Sequence, residues 1–168
     1  MKIELKDTKI KLESTIVSDI EKIIDLEYQN RKFVHSYSKE KHLELLNSKD
    51  CLHLSIIELK DNSLSGHMII FGIEGTNDVL ELRRLTVSKK GKGFGREAIR
   101  LIKKFCFEEL NLHRLWLDVY DDNSRAIGLY ESEGFFMEGV IRECIKENNR
   151  YRSQRIYSIL EHEYKRAE

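Results

Sequence analysis

The stretch VSKKGKGFGREAI, Val87 to Ile99, constrains the chain more than any other. Gly91, Gly93 and Gly95 alternate through it, lysines surround them, and an apolar pattern with helical spacing follows. The residues before it, VLELRRLTV (Val79–Val87), read as a strand. A strand that runs into a glycine-rich turn and then a helix is a general solution for holding a phosphate. Glycine lets the backbone come close to the anion and turn N–H groups toward it, and the helix N-terminus adds a partial positive charge. The spacing fits neither of two common nucleotide motifs. GxxxxGK[ST] is absent, and GxGxxG fails because Arg96 stands where the third glycine should be. A flexible connection with no ligand is the plainer alternative.

Charge points to the same place. Formal net charge is zero, which argues against nucleic-acid binding over the whole surface. Yet Arg83, Arg84, Lys89, Lys90, Lys92, Arg96, Arg100, Lys103 and Lys104 crowd one segment, and within it only Glu97 opposes them. Such a run is usually a solvated helix face; beside a glycine turn it favours a local anion site.

The 168 residues are the size of one domain, 1–168, with one continuous core. No apolar run is long enough to span a bilayer. The opening MKIELKDTKIKLE has charges where a signal peptide needs an apolar stretch, so the cytoplasm is the expected compartment. Cys51, Cys106 and Cys144 match no metal motif and read as reduced thiols. The six histidines form no HxxxH or HxH pair, so no metal is expected. Proline is absent, and element ends must be set by glycine, asparagine, aspartate and serine.

Lys9–Ser14 alternates like a first strand, and Ser18 with Glu21 predicts a capping box for the helix that follows. Ser38 opens a second helix carrying Leu43, Leu45 and Leu46. Cys51–Lys60 and Leu64–Glu74 read as a hairpin. A helix is predicted from Gly95 to Leu110, a strand over His113–Tyr120, and a helix from Asn123 to about Ser132, stopped by Gly134. FFMEGVIRE and RYRSQRIYSILEHEY are the last strands, joined by a turn at Asn148 and Asn149. This order predicts an α/β fold with a mixed, mostly antiparallel sheet of about seven strands and about four helices. Edge strands near the C-terminus are placed to pair between two copies, as a homodimer.

The second half carries NSRAIGLYESEGF, Asn123 to Phe135. Together with the glycine turn it resembles the GNAT superfamily of acyl-CoA-dependent N-acetyltransferases. That family has an [RQ]-x-x-G-x-[GA] turn, matched by Lys90, Gly93 and Gly95, with Lys90 a departure that keeps the charge. Downstream it has N-x-x-A-x-x-[LIV]-Y-x-x-x-G-F, matched by Asn123, Ala126, Leu129, Tyr130, Gly134 and Phe135. The two ends of the chain look most like the RimJ/RimL-like branch, which includes diamine and polyamine acetyltransferases.

The resemblance implies acetyl-CoA as co-substrate. Its pyrophosphate would lie on the backbone of Gly91, Lys92, Gly93, Phe94, Gly95 and Arg96, with Lys90 and the surrounding basic residues drawing in the nucleotide. Its pantetheine arm would pair with Leu85, Thr86 and Val87 like a further strand and take a hydrogen bond from the Asn123 side chain, and Ala126 would also belong to the cofactor site. Tyr130 would be the acid for the departing thiolate. Transfer to an amine also needs a base. Glu81, on the strand feeding the turn, is the first candidate and Asp118 the second; a water chain with no dedicated base is the third. No covalent enzyme intermediate is required, in keeping with the lack of a Cys/His signature. The acceptor is a small amine, a polyamine or a peptide N-terminus, and the acids Asp25, Glu27, Glu40 and Glu44 of the first helices are candidates to receive a cation. A non-catalytic acyl-CoA sensor is the alternative; nucleic acid and membrane are not expected partners.

Overall fold

The computed structural model describes residues 3–166. Its alternating segments become β1 (Glu4–Lys6), β2 (Ile10–Ser14), β3 (Cys51–Glu58), β4 (Leu64–Phe71), β5 (Val79–Val87), β6 (Arg114–Tyr120), β7 (Phe136–Glu147) and β8 (Arg150–Leu160). The helices are α1 (Ile20–Gln29), α2 (Lys39–Asn47), α3 (Phe94–Lys104), α4 (Ser124–Ser132) and α5 (Glu161–Arg166). All eight strands form one sheet in the order β1-β2-β3-β4-β5-β6-β8-β7. Every neighbouring pair is antiparallel except β5 and β6. The mixed α/β sheet is as expected, with one strand and one helix more than the sequence suggested.

The differences have local causes. The extra strand is β1, only three residues long. The extra helix is α5: the last strand ends at Leu160, whose N–H donates to Glu163 Oε2 at 2.8 Å, and Glu161 pairs with Lys165 one turn on. The capping box does not form. A 3-10 turn at Val17–Asp19 delays the helix, Asp19 makes no side-chain cap, and Glu21 instead receives Lys39 Nζ at 2.5 Å. Ser38 does cap α2, its Oγ accepting from the Lys41 N–H at 3.3 Å. The helix predicted to reach Leu110 changes to a π turn at Phe105–Glu109. Phe105, Cys106 and Phe107 are all buried there, and the Leu110 N–H donates to the Phe105 carbonyl, the wider repeat of a π turn. Asn148 and Asn149 take φ of 49° and 60°, the left-handed values of a tight two-residue hairpin.

The sheet has two unlike faces. One carries Leu52, Leu54, Ile56, Met68, Ile70, Leu80 and Leu82 into an apolar core closed by α3, α4 and the π turn. Each fully buried aliphatic side chain there contributes about 1.5–3 kcal/mol. The other face, beneath α1 and α2, carries a polar layer beside a small apolar cluster of Leu45, Cys51 and Ile69: His53 and Ser55 from β3, Ser65 and His67 from β4, and Thr86 from β5 are all buried. Register sorts β5 between the two. Ile69 pairs with Arg84 but Ile70 pairs with Leu82, so Arg83 is an extra residue in a β-bulge. Past it the alternation changes phase: Leu85 and Val87 continue the core face, and Arg84 turns toward α1.

Under α1 the polar face closes on Glu27, which is fully buried. Its carboxylate accepts from Arg84 Nη1 at 2.6 Å and from the Tyr37 N–H at 2.8 Å. His67 Nε2 lies 3.2 Å away and His42 Nε2 3.5 Å away. Burial works to raise this carboxyl, but the two imidazoles and the Arg84 charge outweigh it and hold it well below the usual carboxylate range. Among the described residues no cluster of His, Cys, Asp and Glu is arranged to hold a metal ion, and no helix is long and apolar enough to cross a membrane.

Two predictions follow from this packing. Glu27→Gln leaves the Arg84 guanidinium, 9% exposed, without its counter-charge. The loss should be about 3–5 kcal/mol, seen as a urea midpoint lower by at least about 1 M. Acid should also destabilise the fold. Burial pushes the His53 imidazole down to about 3, with His67 and His42 adding to it, and burial likewise lowers His67. Both stay neutral in the folded protein while the unfolded chain protonates them below about pH 6.5. The unfolded state then binds more protons, so stability falls with decreasing pH by up to about 1.4 kcal/mol per pH unit for each imidazole. Glu27 adds to the loss below its ordinary carboxylate range. A urea midpoint that holds or rises between about pH 7 and pH 5 would contradict this reading.

Candidate active site

The site begins where β5 and β6 part. Their parallel pairing lasts from Val79–Arg114 through Leu80–Leu115 to Glu81–Trp116 and then stops. β6 stays with β8 along its whole length, while β5 past the bulge stays with β4. The wedge between them is a cavity of about 760 Å³. Main-chain groups of β5 from Leu82 onward face it without a β6 partner. Glu81, Leu85, Thr86, Val87, Lys90, Gly95, Asp118, Asn123, Ala126 and Tyr130 all line it. The catalytic candidates and the β5 and α4 candidates, 49 residues apart at the extremes, are thus brought to one cleft.

The glycine turn stands at its mouth. Gly91 and Gly93 have φ of 81° and 87°, which other residues rarely adopt, and a Cβ at Gly91 would meet open space. Gly93 is the N-cap of α3, so the N–H groups of the first helical turn, at Phe94, Gly95 and Arg96, have no carbonyl within the helix. This cradle fits a pyrophosphate. Gly91, Lys92, Gly93, Phe94 and Arg96 lie on the turn outside the cavity lining. The Phe94 side chain is buried in the core and anchors α3, so it offers an anion only its backbone. The Arg96 side chain is engaged elsewhere, donating to Glu133 Oε1 at 2.6 Å.

The basic run is largely neutralised by carboxylates, most of them distant in sequence. Arg100 and Lys103 join Arg96 on the buried Glu133, Lys89 pairs with Glu58, Arg83 with Glu81, and Arg84 with Glu27. Glu97, the one acid inside the run, accepts instead from Thr8 and from the Lys9 N–H. Lys90 and Lys92, at the turn itself, carry no carboxylate partner among the described residues.

Around the reacting centre three groups differ in readiness. Burial, and after it the Asp118 charge, pushes the Tyr130 phenol above its ordinary value, so it is protonated at neutral pH. Asp118 accepts from Gln154 Nε2 at 2.6 Å, and burial with the nearby Glu81 charge pushes its carboxyl up. Glu81 is gripped by both arms of Arg83, with Nη2 to Oε2 at 2.7 Å. Asn123 caps α4, its Oδ1 accepting from the Ala126 N–H at 3.3 Å.

The far wall comes from the loop between α1 and α2, through Asn30, Phe33, Val34 and His35. Arg84 holds this loop: its Nη2 donates to the His35 carbonyl at 2.8 Å, and its guanidinium stacks 3.8 Å from the Tyr37 ring. Arg152 holds it from β8, donating to the Lys32 carbonyl at 2.9 Å and lying 3.6 Å over Tyr120. Sequence reasoning did not assign this holding role to either arginine, because the carbonyls they reach, on His35 and Lys32, are 49 and 120 residues away. Of the four acids expected to receive a cation, none lines the cavity: Glu27 is buried beneath it, and Asp25, Glu40 and Glu44 are exposed elsewhere or outside its lining.

The chain is similar to known proteins along most of its length. "Probable N-acetyltransferase YjcK" of Bacillus subtilis is 27% identical over 174 residues, covering 93% of this chain and 96% of that protein. The spermidine N(1)-acetyltransferase of Vibrio cholerae is 39% identical over 75 residues, 45% of this chain and 43% of its own. A crystal structure of spermidine N-acetyltransferase from Vibrio cholerae with CoA and spermine superposes with a TM-score of 0.83 at 24% identity, covering 94% of this chain and 99% of that one. That match speaks to the fold alone. The Acetyltransferase (GNAT) family matches residues 18–135, more than half of the chain, and the protein belongs to that family.

Proposed function

We propose that the protein is an N-acetyltransferase that moves the acetyl group of acetyl-CoA directly to a primary amine, with both substrates bound together in the cleft. The observation that carries this reading is the split between β5 and β6, which places Tyr130 and Asp118 in one cavity at the foot of the glycine turn. The first helical turn of α3 would take the pyrophosphate, and the unpaired edge of β5 would take the pantetheine amides.

Asp118 is the better base of the two carboxylates. Burial raises it, while Glu81 is committed to Arg83. Asp118, directly or through water, takes a proton from the ammonium. The freed nitrogen attacks the thioester carbon, a β5 N–H stabilises the oxygen, and the C–S bond breaks. Tyr130 donates its hydrogen bond to the departing sulfur. The ammonium loses two protons in all: one ends on the thiol and one in solvent. The cysteines support direct transfer. Burial pushes the Cys51 and Cys106 thiols up to about 12, too high for nucleophiles, and Cys144 lies outside the cleft lining.

Thiol release from acetyl-CoA with a panel of primary amines tests the reading. Tyr130→Phe should lower kcat by about 100-fold with little change in the KM for acetyl-CoA. A variant that keeps full activity would remove Tyr130 from the chemistry. Asp118→Asn should lower kcat/KM by about 10–100-fold and abolish its acid limb, which in the parent lies above the ordinary aspartate range.

A further inference from the structure

We propose that the acceptor is a primary amine carrying a single positive charge on an uncharged, apolar body, and that the cleft discriminates against polyamines. The inference rests on the acetyl-transfer reading and deepens it. It starts from the charges that face the acceptor end. The carboxylates lining the cleft are Glu81 and Asp118, and Arg83 already spans the first. The loop wall of Asn30, Phe33, Val34 and His35 contributes no carboxylate. One anionic site is therefore left, beside the reacting centre, where the reacting ammonium itself must bind.

The route outward offers no second one. A neighbouring cavity of about 710 Å³ shares Val34, His35 and Tyr120 with the cleft. Its acids, Asp122 and Glu147, are both bound by Arg152, at 2.7 Å and 3.0 Å. Arg31 and Lys32 add further positive charge to its lining. Aromatic rings could hold an ammonium by cation–π attraction instead. Here the protein's own cations sit over them: Arg152 over Tyr120 at 3.6 Å, Lys32 over Phe33 at 4.9 Å, and Arg114 over Trp116 at 5.8 Å. A second ammonium would thus lose its hydration among arginines. Desolvated charge without a partner is strongly unfavourable, and like charges at short range add to the cost. An alkyl or aryl body, in contrast, meets Phe33, Trp116, Tyr120 and Ile145.

The test compares hexylamine with 1,6-diaminohexane, which differ by one terminal ammonium, and adds phenethylamine and spermidine. Thiol release is followed with the purified protein and acetyl-CoA. After the twofold statistical advantage of two amino groups is removed, kcat/KM for hexylamine should exceed that for the diamine by about tenfold, equivalent to about 1.4 kcal/mol. Parity, or a preference for the diamine or spermidine, overturns the proposal and leaves acetyl transfer standing. No turnover with any amine, while acetyl-CoA still binds, overturns both. His35→Glu places a carboxylate on the exposed loop wall and should narrow the hexylamine-to-diamine ratio by about threefold or more. A ratio that does not move would show that charge is not what discriminates, and would also overturn the proposal.

Discussion

The cleft depends on one buried ion pair. Glu27 and Arg84 meet at 2.6 Å, with the carboxylate fully buried, and each has a second task. Glu27 accepts the Tyr37 N–H, and Arg84 reaches the His35 carbonyl. The pair therefore joins α1, β5 and the loop that forms the far wall of the cleft. A hydrogen-bonded chain braces it from behind: His42 to His53 at 2.9 Å, His53 to Thr15 at 3.0 Å, Thr15 to Ser55 at 2.9 Å, and Ser55 to Asp19 at 3.2 Å. The chain runs between the carboxylates of Asp19 and Glu27. The longest gap is His42 to Glu27, at 3.5 Å. Arg84 terminates the chain at the cleft. Because a guanidinium does not give up its proton, the network fixes geometry and does not carry protons to the reaction.

That pair can form only because of the bulge at Arg83. Without the extra residue, the alternation that puts Leu80 and Leu82 in the core would put Arg84 there too. The shift sends Leu85 and Val87 to the core and Arg84 to Glu27. It lies just past the last β5–β6 pair, where the sheet opens. Gly66 shows how tightly β4 must hold β5 beyond that point: a Cβ there would lie 2.4 Å from the Thr86 carbonyl oxygen. The strand that leaves one neighbour is pressed against the other.

What could be read in the sequence divides along the same line. The glycine turn and the Asn123–Phe135 segment are legible because a positive φ, a helix cap and a close backbone approach each demand particular residues at consecutive positions. Asn148 and Asn149 are legible for the same reason. The polar layer under α1 is not. Glu27 and Arg84 are 57 residues apart, and each alone looks like a surface charge. The histidines have no short-range spacing, since β3, β4 and α2 bring His53, His67 and His42 together only in the sheet. Likewise the basic run looks like a free cationic patch until Glu133 is folded against three of its members. The capping box at Ser18 misleads because the motif is satisfied by composition while the chain enters the helix through a 3-10 turn.

The two halves of the cleft therefore differ in what specifies them. The half we assign to the coenzyme relies on backbone: splayed strand, left-handed glycines and a helix N-terminus. Few side-chain identities matter to such a cradle, and the fold that carries it persists in a structure only 24% identical. The half we assign to the acceptor relies on which charges remain uncompensated after long-range pairing. That balance changes when a single residue on either side of a pair is replaced. It cannot be transferred from a relative with the same fold, and it is set here by Arg83, Arg84 and Arg152 and the carboxylates they occupy.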